Sequence, residues 1–302
     1  MSSYRVAIAG AGSAAGAHAR AYRNVDAATV VACSSLTEDG ARSFADEHDC
    51  EPYVDVERML DGADPDVLSV CTPAGVHRES VLAAAERGVD VLCEKPLEIT
   101  TERIDDMLVA ADEAGIRLGG IFQRRYKPVV RTVREAVADG RFGPLAVASA
   151  TLPWWRDDSY YDGRWQGDPD LAGGGVALNQ AIHSIDALQW VVGAGMDRDR
   201  GENPVAEVFA HTGLRGRDPA VTEVEDTAVV TLRFRDGTIG NLRCSTAMYP
   251  GGAMEYELGG REGTASVRGE ELTAWEFREE RDDDAAVRER FSGPDAGGDE
   301  PD

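Results

Sequence analysis

The chain has 302 residues, enough for two domains and a sizeable core. It carries 55 acidic against 31 basic residues, a net charge of -24, which excludes nucleic acid and anionic membrane as partners because both demand basic patches. Only two of the cationic residues, Lys95 and Lys127, are lysines. Strong acidity with lysine nearly absent is the composition of a halophilic protein. No stretch approaches the roughly 20 apolar residues of a membrane span. The N-terminus enters a strand without a charged n-region, so no signal peptide and a cytoplasmic location are expected. Cys33, Cys50, Cys71, Cys93 and Cys244 lack CxxC spacing, which favours reduced, buried thiols over a disulfide framework or zinc.

In chain order, Arg5–Ala9 reads as a strand, Gly10–His18 (GAGSAAGAH) as a glycine-rich turn, and the residues after it as a helix. These are the parts of a dinucleotide-binding βαβ unit. Gly10 permits the tight turn, Gly12 lets the backbone approach a pyrophosphate, and the helix N-terminus, with Ser13, Ala14 and Ala15, offers free N–H groups. Ala15 stands where the fingerprint has its third glycine, and an ordinary glycine-rich βα loop is the alternative reading. The second strand, Thr29–Cys33, runs into Ser34 and Ser35 where an NAD-binding unit usually places a carboxylate for the ribose 2′-hydroxyl. The expected cofactor is therefore NAD or NADP, with NADP slightly favoured.

Glu38–Glu47 reads as a helix, Val67–Cys71 as a strand ending in Thr72-Pro73, and Val76–Arg87 as the next helix, with His77 in its first turn, a usual place for a surface or capping histidine. Val89–Cys93 is a buried strand followed directly by Glu94-Lys95-Pro96. An amine, unlike a guanidinium, shifts its pKa readily when partly buried, so Lys95 at a strand end is a candidate proton-handling group. Alternatively it pairs with Glu94 and closes the strand. Thr100–Ala114 is a helix and Arg117–Phe122 a strand. This alternation predicts a parallel, doubly wound sheet, with Gly10, Thr72 and Lys95 at the carboxyl ends of its strands, where ligands bind.

The pattern changes near residue 125. Val129–Ala138 is helical, Leu145–Leu152 is a strand, and a loop rich in Trp, Tyr, Asp and Arg follows. Gly173–Gly175 precedes a helix from Val176 to about Val192, in which Asn179, His183 and Asp186 recur on one face. One histidine and an amide make a poor zinc ligand set, so no metal is expected. Val205–Ala210, Thr227–Arg233, Thr238–Ser245, Glu255–Gly259, Thr264–Val267 and Leu272–Phe277 read as six strands, with an Asp236-Gly237 hairpin turn, and imply an open antiparallel sheet. The expected fold class is α/β, an N-terminal Rossmann domain (1–124) with a doubly wound parallel sheet followed by an α+β domain (125–292) with a large, mostly antiparallel sheet. Residues 293–302 are expected to form a disordered acidic tail.

Five segments, GAGSAAGAH at Gly10–His18, CTPAGVH at Cys71–His77, CEKP at Cys93–Pro96, QRRY at Gln123–Tyr126 and GGGVALNQAIHSIDALQWVVG at Gly173–Gly193, together resemble the Gfo/Idh/MocA oxidoreductase family over Tyr4–Phe277. The resemblance implies NAD(P)-dependent oxidation or reduction of a CH–OH group of a sugar, sugar derivative or cyclitol. It implies that Lys95 holds the reacting hydroxyl and His183 relays its proton, and that Thr72, Pro73, His77, Glu94 and Lys95 join the cofactor set. Where many members carry a carboxylate this chain has Asn179, which orients substrate and cannot act as a base. Arg124, Trp155, Tyr161, Arg164 and Trp165 complete the expected substrate set. A homodimer or homotetramer is expected, as in relatives. The family usually continues with a further helical segment that this sequence does not contain. Other readings on the same scaffold are an NAD-dependent glycosidase and a non-catalytic dinucleotide sensor.

The halophilic reading predicts a higher melting temperature in molar KCl than at low salt; the reverse order contradicts it.

Overall fold

The structure, a computed structural model, describes residues 3–197 and 202–293. The chain forms two compact units. One extends to Ile121 and takes in Pro169–Gly173; the other comprises Phe122–Asp168 and resumes at Gly174.

The first unit is a six-stranded parallel sheet in the order β3-β2-β1-β4-β5-β6, formed by β1 (Tyr4–Ala9), β2 (Ala28–Ser34), β3 (Glu51–Tyr53), β4 (Val67–Val70), β5 (Asp90–Cys93) and β6 (Leu118–Gly120). The last four residues of β1 are all buried, the continuous apolar run of a strand covered on both faces. The covering helices are α1 (Ser13–Tyr22), α2 (Glu38–His48), α3 (Val56–Ala63), α4 (His77–Ala85) and α5 (Thr101–Ala114). Three of these start on side-chain caps: Thr37 accepts from Gly40 N at 3.1 Å, Asp55 from Arg58 N at 2.8 Å and Thr100 from Arg103 N at 3.3 Å. The strand β3 and helix α3 are absent from the sequence reading. A three-residue strand containing Pro52 shows no period, and only the Asp55 cap with Met59, Leu60 and Ala63 on the buried face marks α3. A short helix, α7 (Pro169–Ala172), also belongs to this unit and packs on the turn Ala74–Val76 so closely that a Cβ on Gly75 would lie 2.3 Å from the Asp170 carbonyl oxygen.

The second unit is a seven-stranded sheet in the order β13-β12-β11-β7-β10-β9-β8. Its strands are β7 (Leu145–Pro153), β8 (Val205–Gly213), β9 (Thr227–Phe234), β10 (Ile239–Ser245), β11 (Glu255–Gly260), β12 (Gly263–Arg268) and β13 (Glu271–Phe277). It is antiparallel except where central β7 runs parallel to β10, the mostly antiparallel sheet that was expected. Inward residues of β10 and β11 alternate with exposed ones, and those of β7 with half-buried ones. Their inner face packs on α6 (Pro128–Ala138), through Val129, Val133 and Val137, and on α8 (Ile182–Val192), through Leu188, Val191 and Val192. The helix expected from Val176 begins as a π-helical turn, Val176–Gln180, before α8 takes over. A last helix, α9 (Asp284–Arg290), lies in the acidic stretch that showed no helical pattern. Residues 294–302 of the expected tail lie outside the described residues. Among the described residues no helix is long and apolar enough to cross a membrane. All five cysteines are free, and burial pushes the thiols of Cys71, Cys93 and Cys244 up.

The first residue of α9 locks it to the sheet. Asp284, 1% exposed, accepts from Arg141 Nη1 at 2.7 Å, Arg141 Nη2 at 2.8 Å, Trp275 Nε1 at 2.6 Å and Arg281 N at 2.7 Å. The Arg141 hydrogen bonds hold its carboxyl well below the usual carboxylate range against the opposing effect of burial. A depressed carboxyl adds stability that is fully present above the ordinary aspartate value and is lost as pH falls toward the folded value. Asp284→Asn is expected to cost about 3 kcal/mol in urea unfolding at neutral pH. The gap from wild type should narrow as pH drops below about 4; a gap that stays constant contradicts this assignment.

Candidate active site

In the first unit, β1, β4 and β5 lie side by side, so the loops that leave their carboxyl ends share one edge of the sheet. Gly10 follows β1 with φ +108°, and its N–H donates to Ser34 O at 2.9 Å. A Cβ on Gly10 would sit 2.6 Å from the Cys71 carbonyl oxygen, so only glycine fits between the ends of β1 and β4. At Gly12 a Cβ would meet nothing within 4 Å, which leaves open space over the start of α1. That helix begins with no side-chain cap and no acidic residue in its first turn, so its N–H groups and positive end suit a pyrophosphate. Ser13 is exposed and Ala14 half-buried at this start, while Ala15, fully buried, packs with Ile8 and Cys33 beneath it. A methyl is therefore accommodated where the fingerprint has its third glycine. The buried Thr72 Oγ1 has no hydrogen-bond partner within the protein. Room at Gly12, uncapped N–H groups and an unsatisfied hydroxyl together fit a dinucleotide.

At the end of β2, Ser34 is buried and Ser35 half-buried. The following turn curls tightly: a Cβ on Gly40 would lie 2.8 Å from Ser35 Oγ. The first turn of α2 carries two exposed carboxylates, Glu38 and Asp39. Arg42, the arginine nearest in sequence, pairs with Glu38 at 3.2 Å.

Glu94 and Lys95 follow β5, and the Lys95–Pro96 peptide is cis. Glu94 is held by His18 of α1, whose Nε2 lies 3.0 Å from Oε1, and by Lys95 N, which donates to Oε2 at 3.1 Å. Burial pushes the Glu94 carboxyl up, but these hydrogen bonds and the charges of Lys95 and His18 outweigh it and keep the group below its ordinary value. The Glu94 carboxylate thus fixes the backbone from which the half-buried Lys95 side chain projects.

His77 corrects the expectation of a direct cofactor contact. It is 0% exposed, with Nε2 2.8 Å from Thr72 O and Nδ1 3.1 Å from Leu97 O and 3.3 Å from Cys93 Sγ. Each ring nitrogen thus lies within hydrogen-bond distance of a backbone carbonyl. His77 ties the loop after β4 to the loop after β5.

In the second unit, Asn179 lies in the π turn and His183 in the first turn of α8, both 6% exposed. Asp186, the third member of the expected polar stripe, is engaged elsewhere. Arg125 Nε donates to its Oδ2 at 2.8 Å, and Arg125 Nη2 binds Oδ1. This clamp fastens the turn Gln123–Tyr126 to α8 and thereby places Arg124, which is 7% exposed.

The aromatic loop is divided. Trp155 is 38% exposed and meets Tyr249 edge-on, with ring centres 5.5 Å apart; Arg164 is exposed and Trp165 half-buried. Tyr161 does not belong with them. It is 2% exposed, and its hydroxyl bonds Thr246 Oγ1 at 2.8 Å, so it supports the loop from beneath. The sequence reading also missed Gln180, whose Nε2 donates to Tyr160 OH at 3.0 Å and joins the helix to this loop. It missed Arg217, Glu225 and Asp226 as well, whose partners are distant in sequence.

Two family models match the chain. Residues 4–121 match the oxidoreductase family with an NAD-binding Rossmann fold, and residues 130–266 match the GFO/IDH/MocA C-terminal domain. The D-glucoside 3-dehydrogenase of Escherichia coli (strain K12) is 32% identical over 257 residues, which covers 81% of this chain and 70% of that protein. The 1,5-anhydro-D-fructose reductase of Ensifer adhaerens is 34% identical over 215 residues, 70% of this chain and 60% of the reductase's length. Among solved structures, the WlbA dehydrogenase from Bordetella pertussis in complex with NADH and UDP-GlcNAcA superimposes with a TM-score of 0.88 at 30% identity, covering 95% of this chain and 81% of that one. Matched in both halves by these models and aligned with a 32% identical dehydrogenase over most of its length, the chain belongs to the GFO/IDH/MocA family of NAD-binding oxidoreductases.

Proposed function

We propose that this protein transfers a hydride between a nicotinamide dinucleotide and a hydroxyl or keto carbon of a sugar, sugar derivative or cyclitol. The observation that carries the reading is the half-buried Lys95 directly after β5, on the sheet edge that it shares with the Gly10 loop and Thr72. An amine at the mouth of a dinucleotide site supplies what hydride transfer asks of a protein, orientation and proton handling. When bound, the nicotinamide supplies the hydride acceptor or donor. Protonated Lys95 polarises the carbinol oxygen and neutral His183 accepts its proton. Asn179 orients a neighbouring hydroxyl. Arg124, Trp155, Arg164 and Trp165 contact the substrate, with an aromatic face against the apolar side of the ring. Names of relatives support the substrate class: a D-glucoside 3-dehydrogenase and a myo-inositol 2-dehydrogenase.

The dinucleotide we assign is NAD(H). The NADP preference read from Ser34 and Ser35 counted no carboxylate at the end of β2, whereas Glu38 and Asp39 open α2 and Arg42 is paired with Glu38. Two carboxylates oppose an added 2′-phosphate. Exposed Val208, Phe209, Val229 and Ile239 on β8–β10 support self-association into a homodimer or homotetramer, and the acidic composition supports a halophilic protein.

Lys95→Ala is expected to lower turnover of a sugar substrate by about 10²- to 10⁴-fold while NADH affinity stays near that of wild type. Steady-state rates beside a fluorescence titration test this. A variant that keeps most of its rate contradicts the role of Lys95, and one that loses NADH binding makes the lysine a cofactor anchor instead.

A further inference from the structure

We propose that Glu225 and Asp226 are a pair of positioning residues: Glu225 sets the helix that carries Asn179 and His183, and Asp226, through Arg217, sets the aromatic loop. The inference rests on the roles assigned above to that helix and loop.

The π turn starts at Gly175 with no side-chain cap from its own first residues. Its leading N–H groups go to Glu225. Gly175 N donates to Oε2 at 2.7 Å, Ala177 N to Oε1 at 3.0 Å and Val176 N to the Glu225 carbonyl at 2.8 Å. One residue thus satisfies three successive donors that a helix start otherwise leaves open, and its charge sits at the positive end of the helix. The contact has no slack, because a Cβ on Gly175 would lie 1.7 Å from the Glu225 carbonyl oxygen. Asn179 N then bonds Gly175 O at 2.9 Å, so the position of the Asn179 backbone is set from the capped turn.

Asp226 serves a different segment. It is 1% exposed; Oδ1 accepts from Arg215 N and Thr227 Oγ1, both at 2.9 Å, and Oδ2 accepts from Gly216 N at 2.8 Å and Arg217 Nη1 at 3.3 Å. The Arg217 side chain, itself 1% exposed, donates through Nη2 to Thr246 O at 2.8 Å and to the Arg156 carbonyl. Its guanidinium lies 4.6 Å from the centre of the Tyr161 ring. The loop that carries Trp155 and Trp165 therefore rests on a buried cation whose charge Asp226 balances. The two assemblies meet where Gln180 Nε2 donates to Tyr160 OH. Adjacent carboxylates at the entry to β9 thus divide the work, one for the proton-relay helix and one for the sugar-facing loop.

The test compares Glu225→Gln, Glu225→Asp and Asp226→Asn with wild type. The readouts are hydrogen exchange of the 175–181 backbone, NADH affinity, and kcat and KM for a sugar. Glutamine presents one acceptor where two N–H groups need one each. Glu225→Gln is therefore expected to speed exchange at Gly175 and Ala177 and to lower kcat by about 10- to 100-fold, with a smaller change in KM and NADH affinity unchanged. Glu225→Asp keeps the charge with a shorter reach and should restore part of kcat. Asp226→Asn should raise the sugar KM more than it lowers kcat. Unchanged exchange in Glu225→Gln overturns the proposal, as does faster exchange with kcat intact. Equal losses of kcat and KM performance in both variants reduce the pair to a structural role and overturn it too. A wild-type enzyme that turns over no sugar refutes the proposed function instead, and the exchange measurement still decides whether Glu225 caps the helix.

Discussion

Both functional helices are placed by a glycine that lets the backbone touch a neighbouring strand end. At Gly10 the contact is with Cys71 at the end of β4, where a Cβ would come within 2.6 Å. At Gly175 it is with Glu225, just ahead of β9, where a Cβ would come within 1.7 Å. Each approach fixes where a helix starts relative to its own sheet, and the start of a helix is where its N–H groups and positive end are found. In the first unit those N–H groups are left open, with no capping side chain and no acidic residue in the first turn. In the second they are consumed by Glu225. The same backbone device therefore serves two ends. One helix start is left without a capping side chain, and the other is closed by a carboxylate.

Charge is handled with similar economy. The chain is strongly acidic, yet its buried carboxylates are each matched to named donors. Asp284 meets Arg141 and Trp275, Asp226 meets Arg217, Glu98 meets Arg103 at 2.8 Å, and Glu94 meets His18 and the Lys95 N–H. Burial of an unmatched charge is costly, so each of these pairs pins two segments to one geometry. Arginine does most of this work, as its planar fork binds a carboxylate in two places. The rare lysine at position 95 follows β5, the strand beside β4 and its Cys71–Thr72 turn.

Much of the fold was legible because its signals are local. Largely apolar buried runs in β1, β4 and β5, alternation in β10 and β11, and the helix caps at Thr37 and Thr100 are each contained in a few consecutive residues. What stayed hidden depends on contacts far along the chain. Asp186 reads as part of a polar stripe by helical spacing, yet its partner is Arg125, 61 residues away. Tyr161 reads as one more aromatic of an exposed loop, and only the packing of Thr246 and Arg217 around it shows that it is interior. His77 reads as a capping residue at a helix start, but carbonyls from two loops surround its ring. The π turn shifts the helical phase at Ala181, which no simple period reveals. The short β3 and the terminal α9 carry too few apolar residues to stand out from the loops around them.

In the proposed function, the loop between β1 and α1 receives the phosphates of NAD(H) and the start of α2 disfavours a 2′-phosphate. A fluorescence titration of the protein with NADH and with NADPH, in molar KCl, addresses both parts at once. The account predicts saturable binding of NADH and markedly weaker binding of NADPH. Tighter binding of NADPH contradicts the part assigned to Glu38 and Asp39, and failure of a folded protein to bind either dinucleotide contradicts the part assigned to Gly10, Gly12 and the open start of α1.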